Sequence, residues 1–386
     1  MKRKVLWGIS VISFLFISYI IYCNWNLFYR LQSDASCSTF LINQNDSIIV
    51  GHNLDEYIDV PGAIFVNKRD VLKENISWRD VLCFLCTKKT SVPRIQWVSK
   101  YGSITYSYWG KDFIDGGMNE QGLYIGEMTL FGTKWIESEK PPFHHHLFLQ
   151  YVLDNFATVE EALDGISRIE IDGHCQWHFF ISDKSGKTAV IEFLNDSVKI
   201  HTDHRMPIQV LCNRTYEKEL KLIPDNDSTY YHMLENDYVK KDLRFMLASK
   251  MINEYDKNTE KPIVDYAFSI LGKMDMGNNK WSIVYDVKNL KMFFRTNKGK
   301  NIKSIDFSSF DFSCAEPVKV FDINTDLSGE VAEKFIDYSE ELNKQLIRNG
   351  FDNINMGFIG NLILKPVYKK KLNFYTNSFK CEIVKD

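Results

Sequence analysis

SCSTFLINQNDSIIVGHNLDEY, residues 36–57, contains two β-prone runs separated by Asn45-Asp46. Asn and Asp tolerate tight-turn backbone angles, so the stretch predicts a β-hairpin. Cys37 stands at the start of the first run and Asp55 closes the second. A lone thiol has a pKa of about 8.5 and is mostly protonated at neutral pH, so it needs a base before it can act as a nucleophile. None of the nine histidines has a spacing that marks it as that base. If Cys37 were the first residue of the mature chain, its own α-amino group would titrate at about 7.7–8 and could take the thiol proton. A carboxylate such as Asp55 would orient that amine, and Asn119 or Asn213 would supply oxyanion donors. Taken singly, Cys37 reads as a core thiol, Asp55 as a turn residue and Asn213 as a loop residue.

Outward from the hairpin, AIFVNK (63–68) continues the β pattern, and residues 95–109 suggest a further strand pair. GGMNEQGLYIGEMTL (116–130) places a Gly-containing turn before another strand. The period then changes. FHHHLFLQYVLDNF (143–156) reads as a helix, and Thr158 with Glu161 forms a capping box for the next one. Strands resume at HFFISD, TAVIEF, SVKIHT and QVLCNRT (178–215). Two helices follow near 238–254 and 262–272, then a hairpin at WSIVYDVKNLKMFFRT (281–296). A last helix is expected over 329–348 and a closing strand in the tail from 367. Strands, helices, strands, helices, strands, with no internal repeat or linker after residue 37, predict one α+β domain with helices on the outer faces of its sheets.

The N-terminus reads differently. Lys2, Arg3 and Lys4 precede an uncharged apolar run, residues 5–23, flanked by Tyr22, Trp25 and Tyr29. About 20 apolar residues span a bilayer, and the basic end stays in the cytoplasm. The boundaries are therefore a basic end at 1–4, a transmembrane anchor or signal segment at 5–25, a linker or propeptide at 26–36 and the domain at 37–386. A single-pass anchor with the domain outside the cytoplasm is favoured over secretion after signal cleavage. A net charge of -3 excludes nucleic acid as an expected partner. Eight scattered cysteines do not suggest a disulfide scaffold. Cys83 and Cys86 lack a second pair, and His144, His145 and His146 would diverge on a helix, so no metal or cofactor is expected. The aromatic stretches 101–113 and 129–136 are candidates to line an apolar acyl pocket.

In order, SCSTF, GHNLDEY, DGGMNEQGLYIGEM, HFFISDKSGKTAVIEF, VLCNRTYEKE, DLRFMLASKM and KWSIVYDVKNLKMFFRT resemble the choloylglycine hydrolase and penicillin V acylase family. This group of N-terminal-nucleophile hydrolases cleaves linear amides and is related to acid ceramidase. The resemblance implies a four-layer αββα sandwich and a cysteine exposed by processing. It implies Cys37 as nucleophile, Asp55 as holder of the amine, Asn213 and Asn119 as oxyanion donors, and Arg244 as a fixed cation beside them. The family's Arg after the Gly of GRNxD is replaced by His52, assigned here to substrate binding. Because His titrates near 6.5, activity is expected to fall above neutral pH. Asp34 makes the stretch before Cys37 a poor signal-peptidase site, so autoproteolysis at Ser36–Cys37 is expected. The substrate would be a small N-acyl amide. Rivals are an acyltransferase using the same site and a non-catalytic binding protein, and a homo-oligomer is left open.

Overall fold

The computed structural model describes residues 36–44, 46–82, 94–223, 240–255, 261–357 and 360–381. The expected anchor, the Cys83/Cys86 pair and the first residues of the 238–254 helix lie outside them. Among the described residues, no helix is long and apolar enough to cross a membrane.

The predicted hairpin forms from Ser38–Gln44 and Ser47–Asp55, paired from Ser38↔Asn53 to Gln44↔Ser47. Asp46 takes a φ of 64° in its turn, a conformation Asp tolerates better than most residues. Gly51 faces Phe40 across the pair, and a Cβ there would stand 2.3 Å from the Phe40 ring. The hairpin lies within a seven-stranded sheet whose order is Val210–Leu211, Ser38–Gln44, Ser47–Asp55, Asn279–Asp286, Lys291–Thr296, Lys303–Asp306 and Gly329–Glu330. A nine-stranded sheet runs Ser197–Thr202, Thr188–Leu194, Trp177–Ser182, Tyr124–Thr129, Gly116–Asn119, Ser103–Ser107, Ala63–Asn67, Lys319–Asp322 and Ile336–Asp337.

The sheets face each other through Ser38–Gln44 and Tyr124–Thr129, with the Tyr124 and Tyr285 rings 5.2 Å apart. The Ile263–Met274 helix covers the outer face of the first sheet, and His145–Asn155 that of the second. The order of layers is therefore helix, sheet, sheet, helix, as the family resemblance implied. Both sheets bury one face against each other and the other against an amphipathic helix, which is why their central strands are apolar on both sides.

Two expectations fail. The 329–348 segment is helical only in Glu340–Asp352, because Ser339 caps that helix by accepting from the Leu342 N–H. Before it come the short strands Gly329–Glu330 and Ile336–Asp337. The tail is not a strand but mainly a helix, Lys365–Thr376, which buries Tyr368 and Leu372 against Glu340–Asp352. Its alternation was read at period 2 where the buried pair is spaced at i, i+4. Of the tail's described residues after that helix, Lys380–Cys381 is extended, and Cys381 forms a disulfide with Cys314.

A buried ion cluster sits at the His145–Asn155 helix, on the outer face of the nine-stranded sheet. Lys73 Nζ lies 2.6 Å from Asp112 Oδ1 and 2.9 Å from Asp154 Oδ2. Trp97 and Gln150 also donate to Asp154. Lys73→Met should lower unfolding free energy by about 3–5 kcal/mol, since it leaves buried Asp154 without its cation while Lys111 still pairs with Asp112. Urea unfolding measures this.

Candidate active site

Cys37 precedes the first strand by one residue and is 3% exposed. The hairpin register brings it beside the end of the return strand, where its Sγ lies 3.5 Å from the Asp55 backbone N–H and 3.7 Å from the Asp55 carbonyl. Burial pushes the thiol pKa well above its ordinary value, and the charges of Glu127 and Asp55 push it further. This thiol stays protonated at neutral pH and needs an adjacent base. The Asp55 carboxyl is also buried and is raised to about 6 by that burial. The Ser36 and Asn279 side chains and the Arg244 charge pull the other way. Asn279 Nδ2 donates to Asp55 Oδ1 at 3.0 Å.

Arg244, on the Lys240–Glu254 helix, is 3% exposed. Its Nη1 donates to the carbonyls of Ser36 and Cys37, the latter at 3.2 Å, and its Nη2 donates to Asn213 Oδ1 at 2.9 Å. A guanidinium only donates, so it fixes the Asn213 amide with oxygen toward itself and nitrogen away. One N–H of that nitrogen donates to the Thr129 carbonyl at 2.7 Å. The structure thus brings together Cys37, Asp55, Asn213 and Arg244, four of the six residues selected from sequence.

Asn119 is a correction. It lies past the far end of the Tyr124–Thr129 strand, whose six residues span about 17–20 Å. Its Nδ2 donates to the carbonyls of Leu153 and Phe156, both at 2.8 Å, and its Oδ1 accepts from the N–H groups of Gln121 and Leu123. Every hydrogen-bonding position of this amide is used to pin a strand turn to the end of the His145–Asn155 helix. It has no N–H left to give a substrate oxyanion.

His52 is a second correction. It is fully buried between the sheets, with Nδ1 2.7 Å from Thr39 Oγ1 and its ring 5.6 Å from that of Tyr106. Burial lowers its pKa to about 3. It is therefore uncharged throughout the neutral range and supplies no titrating cation near Cys37, so the expected loss of activity above neutral pH has no source in this residue. His52→Gln should leave the shape of the pH–rate profile between about 5.5 and 8 unchanged. A shifted limb in kcat/KM would restore the titrating role.

Sequence reading missed three carboxyl groups near the same strand ends, the half-buried Glu56 and the buried Asp115 and Glu127. Burial raises Glu56 to about 7 and carries Asp115 and Glu127 well above the carboxylate range. Tyr108 donates to Glu56 at 3.0 Å. Glu127 lies inside an otherwise apolar strand, and such a residue is the available sequence signal. Of the aromatic stretches, Tyr108 and Trp109 gather on this side, with Tyr108 6.2 Å from Trp281. Trp135 instead packs on Phe179 and Phe193.

Two stacked sheets between helices, with a cysteine one residue before the first strand, define the N-terminal-nucleophile hydrolase fold. The model of the linear amide C-N hydrolases, choloylglycine hydrolase family, matches residues 37–245, more than half of the chain, and its match opens on Cys37. The chain belongs to this family and is a hydrolase of linear amides. It is 26% identical over 263 residues to a penicillin V acylase of Pectobacterium atrosepticum, covering 57% of this chain and 69% of that one. The penicillin V acylase structure from Agrobacterium tumefaciens superposes with a TM-score of 0.65 at 25% identity, covering 78% of this chain and 98% of that one. A variant conjugated bile acid hydrolase from Clostridium perfringens shares the fold, with a TM-score of 0.58 at 16% identity over 76% of this chain and 98% of that one.

Proposed function

We propose that the protein is an extracytoplasmic cysteine amidohydrolase that cleaves N-acyl amides through a thioester, after the Ser36–Cys37 bond has been cut. The observation that carries this reading is the placement of Arg244 on the Ser36 carbonyl, the carbonyl of the bond to be broken. A cation there stabilises the oxyanion formed when Cys37 Sγ attacks that carbon. The C–N bond then breaks, the Cys37 nitrogen leaves as a free amine, and water hydrolyses the resulting thioester, freeing the Ser36 carboxylate and the Cys37 thiol. In the mature enzyme the α-amine takes the thiol proton and Sγ attacks the substrate carbonyl. The free N–H of Asn213 holds the oxyanion, and the amine returns the proton to the leaving nitrogen. A second water releases the acyl group.

The extracytoplasmic location rests on the Cys314–Cys381 disulfide, since such bonds persist in oxidising compartments, and on the apolar run at 5–23. Mass spectrometry of the purified chain, followed by assay against a panel of N-acyl amides, tests the reading. A new N-terminus at Cys37 with amide turnover supports it, and an uncut, inactive chain refutes it.

Asp55 gives the cut a pH dependence. At a pKa of about 6 it is protonated below that pH and cannot receive the thiol proton, and it is ionised above. Cutting of refolded precursor should therefore speed up as pH rises through about 6 and then level off. A time course of intact mass at several pH values measures this.

A further inference from the structure

The helix that covers the nine-stranded sheet opens on His144, His145 and His146, all buried. Consecutive side chains on a helix point different ways, yet here the rings stack, His144 on His145 at 4.3 Å and His145 beside His146 at 4.6 Å. The extended residues just before the helix, Pro142–His144, pair in parallel with Glu170–Asp172. The chain that follows the second of these carries His174 and Cys175 against the same rings. The His145 ring lies 5.2 Å from that of His174. Ligand atoms of His145, His146 and Cys175 all lie within 4.8 Å of one another.

The hydrogen bonds of the imidazoles decide what they present. His145 Nδ1 is 3.3 Å from the Asp172 carbonyl, and His146 Nδ1 is 3.1 Å from the Ile114 carbonyl. A carbonyl only accepts, so each Nδ1 carries the proton and each Nε2 keeps its lone pair. The Nε2 of His145 is buried and has no hydrogen-bond partner. A ring anchored through one N–H to a carbonyl, with the other nitrogen bare, is the arrangement that metal-bound histidines adopt. Cys175 is a free thiol. Its Sγ forms a hydrogen bond with His174 Nε2 at 3.5 Å. Trp78 stacks on His174 at 4.3 Å and holds its ring in place.

We propose that His145, His146 and Cys175 form a zinc(II) site whose fourth position is left to water or another exogenous ligand. Two imidazoles and one thiolate suit a borderline-soft ion of tetrahedral preference better than a hard one. Closing the set from 4.8 Å to tetrahedral separations moves side-chain ends by about 1 Å. Binding converts the Cys175 thiol to a zinc thiolate and releases one proton to solvent, with no change of oxidation state. The ion would clamp the 173–175 segment to the start of the helix. The site adjoins the buried carboxyls at the Cys37 end of the sheets, since His146 Nδ1 is 3.6 Å from Asp115 Oδ1. Three adjacent histidines do not make a site by themselves. The fold makes one by adding Cys175 from another segment.

The test uses the full chain, stripped with a chelator and titrated with Co2+ and then Zn2+. Expected are about one ion per chain, a thiolate-to-cobalt charge-transfer band with tetrahedral d–d bands, and loss of these bands when Zn2+ displaces Co2+. Cys175→Ser should remove the charge-transfer band and weaken Zn2+ binding by more than about 100-fold, beyond the 10–100-fold that loss of a merely orienting group costs. His145→Gln should weaken it comparably. Should a variant fail to fold, alkylation of the parent protein decides: Zn2+ should protect Cys175 from iodoacetamide, read by peptide mass. An octahedral cobalt spectrum without charge transfer, unaltered affinity in Cys175→Ser, or a Cys175 equally alkylated with and without Zn2+ would each overturn the site.

Discussion

Cys37→Ala is expected to leave the chain full length in a heterologous host, and Cys37→Ser to lower kcat on N-acyl amides by at least about 10⁴-fold. The two substitutions separate two roles of one atom. Alanine removes the nucleophile proposed to cut the Ser36–Cys37 bond, so the intact mass tests autoproteolysis directly. Serine keeps the size of the side chain and therefore the fold, but a hydroxyl titrates far above a thiol and is a weaker leaving group from the acyl-enzyme. The setting makes this loss larger. The thiol pKa is already raised by burial and by the Glu127 and Asp55 charges, so the base beside it can reach a thiol but not an alcohol. A Cys37→Ala chain that is still cut before residue 37 would assign the cut to a host peptidase. A Cys37→Ser protein that matches the parent in turnover would remove Cys37 from the mechanism.

Much of this was legible because the informative residues lie at strand ends that the pattern marks clearly. The hairpin 38–55 follows from Asn45-Asp46 between two apolar runs, and its return strand carries Asp55 to Cys37. Asn213 closes another run, beside the first strand. The failures have physical causes. Asn119 sits in a Gly-bounded turn of the kind that binds ligands, but the sequence does not reveal that the end of a helix at Leu153 and Phe156 takes both its N–H bonds. His52 stands where a charged residue was expected, and its charge was judged from a solvent pKa. Full burial between the sheets moves that pKa to about 3. The Cys314–Cys381 pair, 67 residues apart, required the tail to be a helix that turns back, and the tail was read as a strand.

Asn213→Ala is expected to lower kcat by about 10²–10³-fold with little change in KM, the signature of a donor that meets the substrate oxygen only as it becomes an oxyanion. The argument rests on orientation. An asparagine amide can face either way, and here Arg244 decides, because Nη2 at 2.9 Å accepts no hydrogen bond and must find oxygen. The nitrogen is then held by the Thr129 carbonyl at 2.7 Å with one N–H left over. Arg244→Lys should therefore lose a similar factor without touching the substrate. A lysine is a point charge and cannot reach the Cys37 carbonyl and Asn213 at once. If Arg244 acts on the mature reaction through Asn213, the two losses overlap, and the double variant should be barely slower than Asn213→Ala. The comparison is made on protein already starting at Cys37, so that an effect of Arg244 on the Ser36 carbonyl does not enter the rate. Losses that multiply would mean that Arg244 acts on the reacting atoms independently, through its contact with Cys37, and that the Asn213 amide keeps its orientation without it.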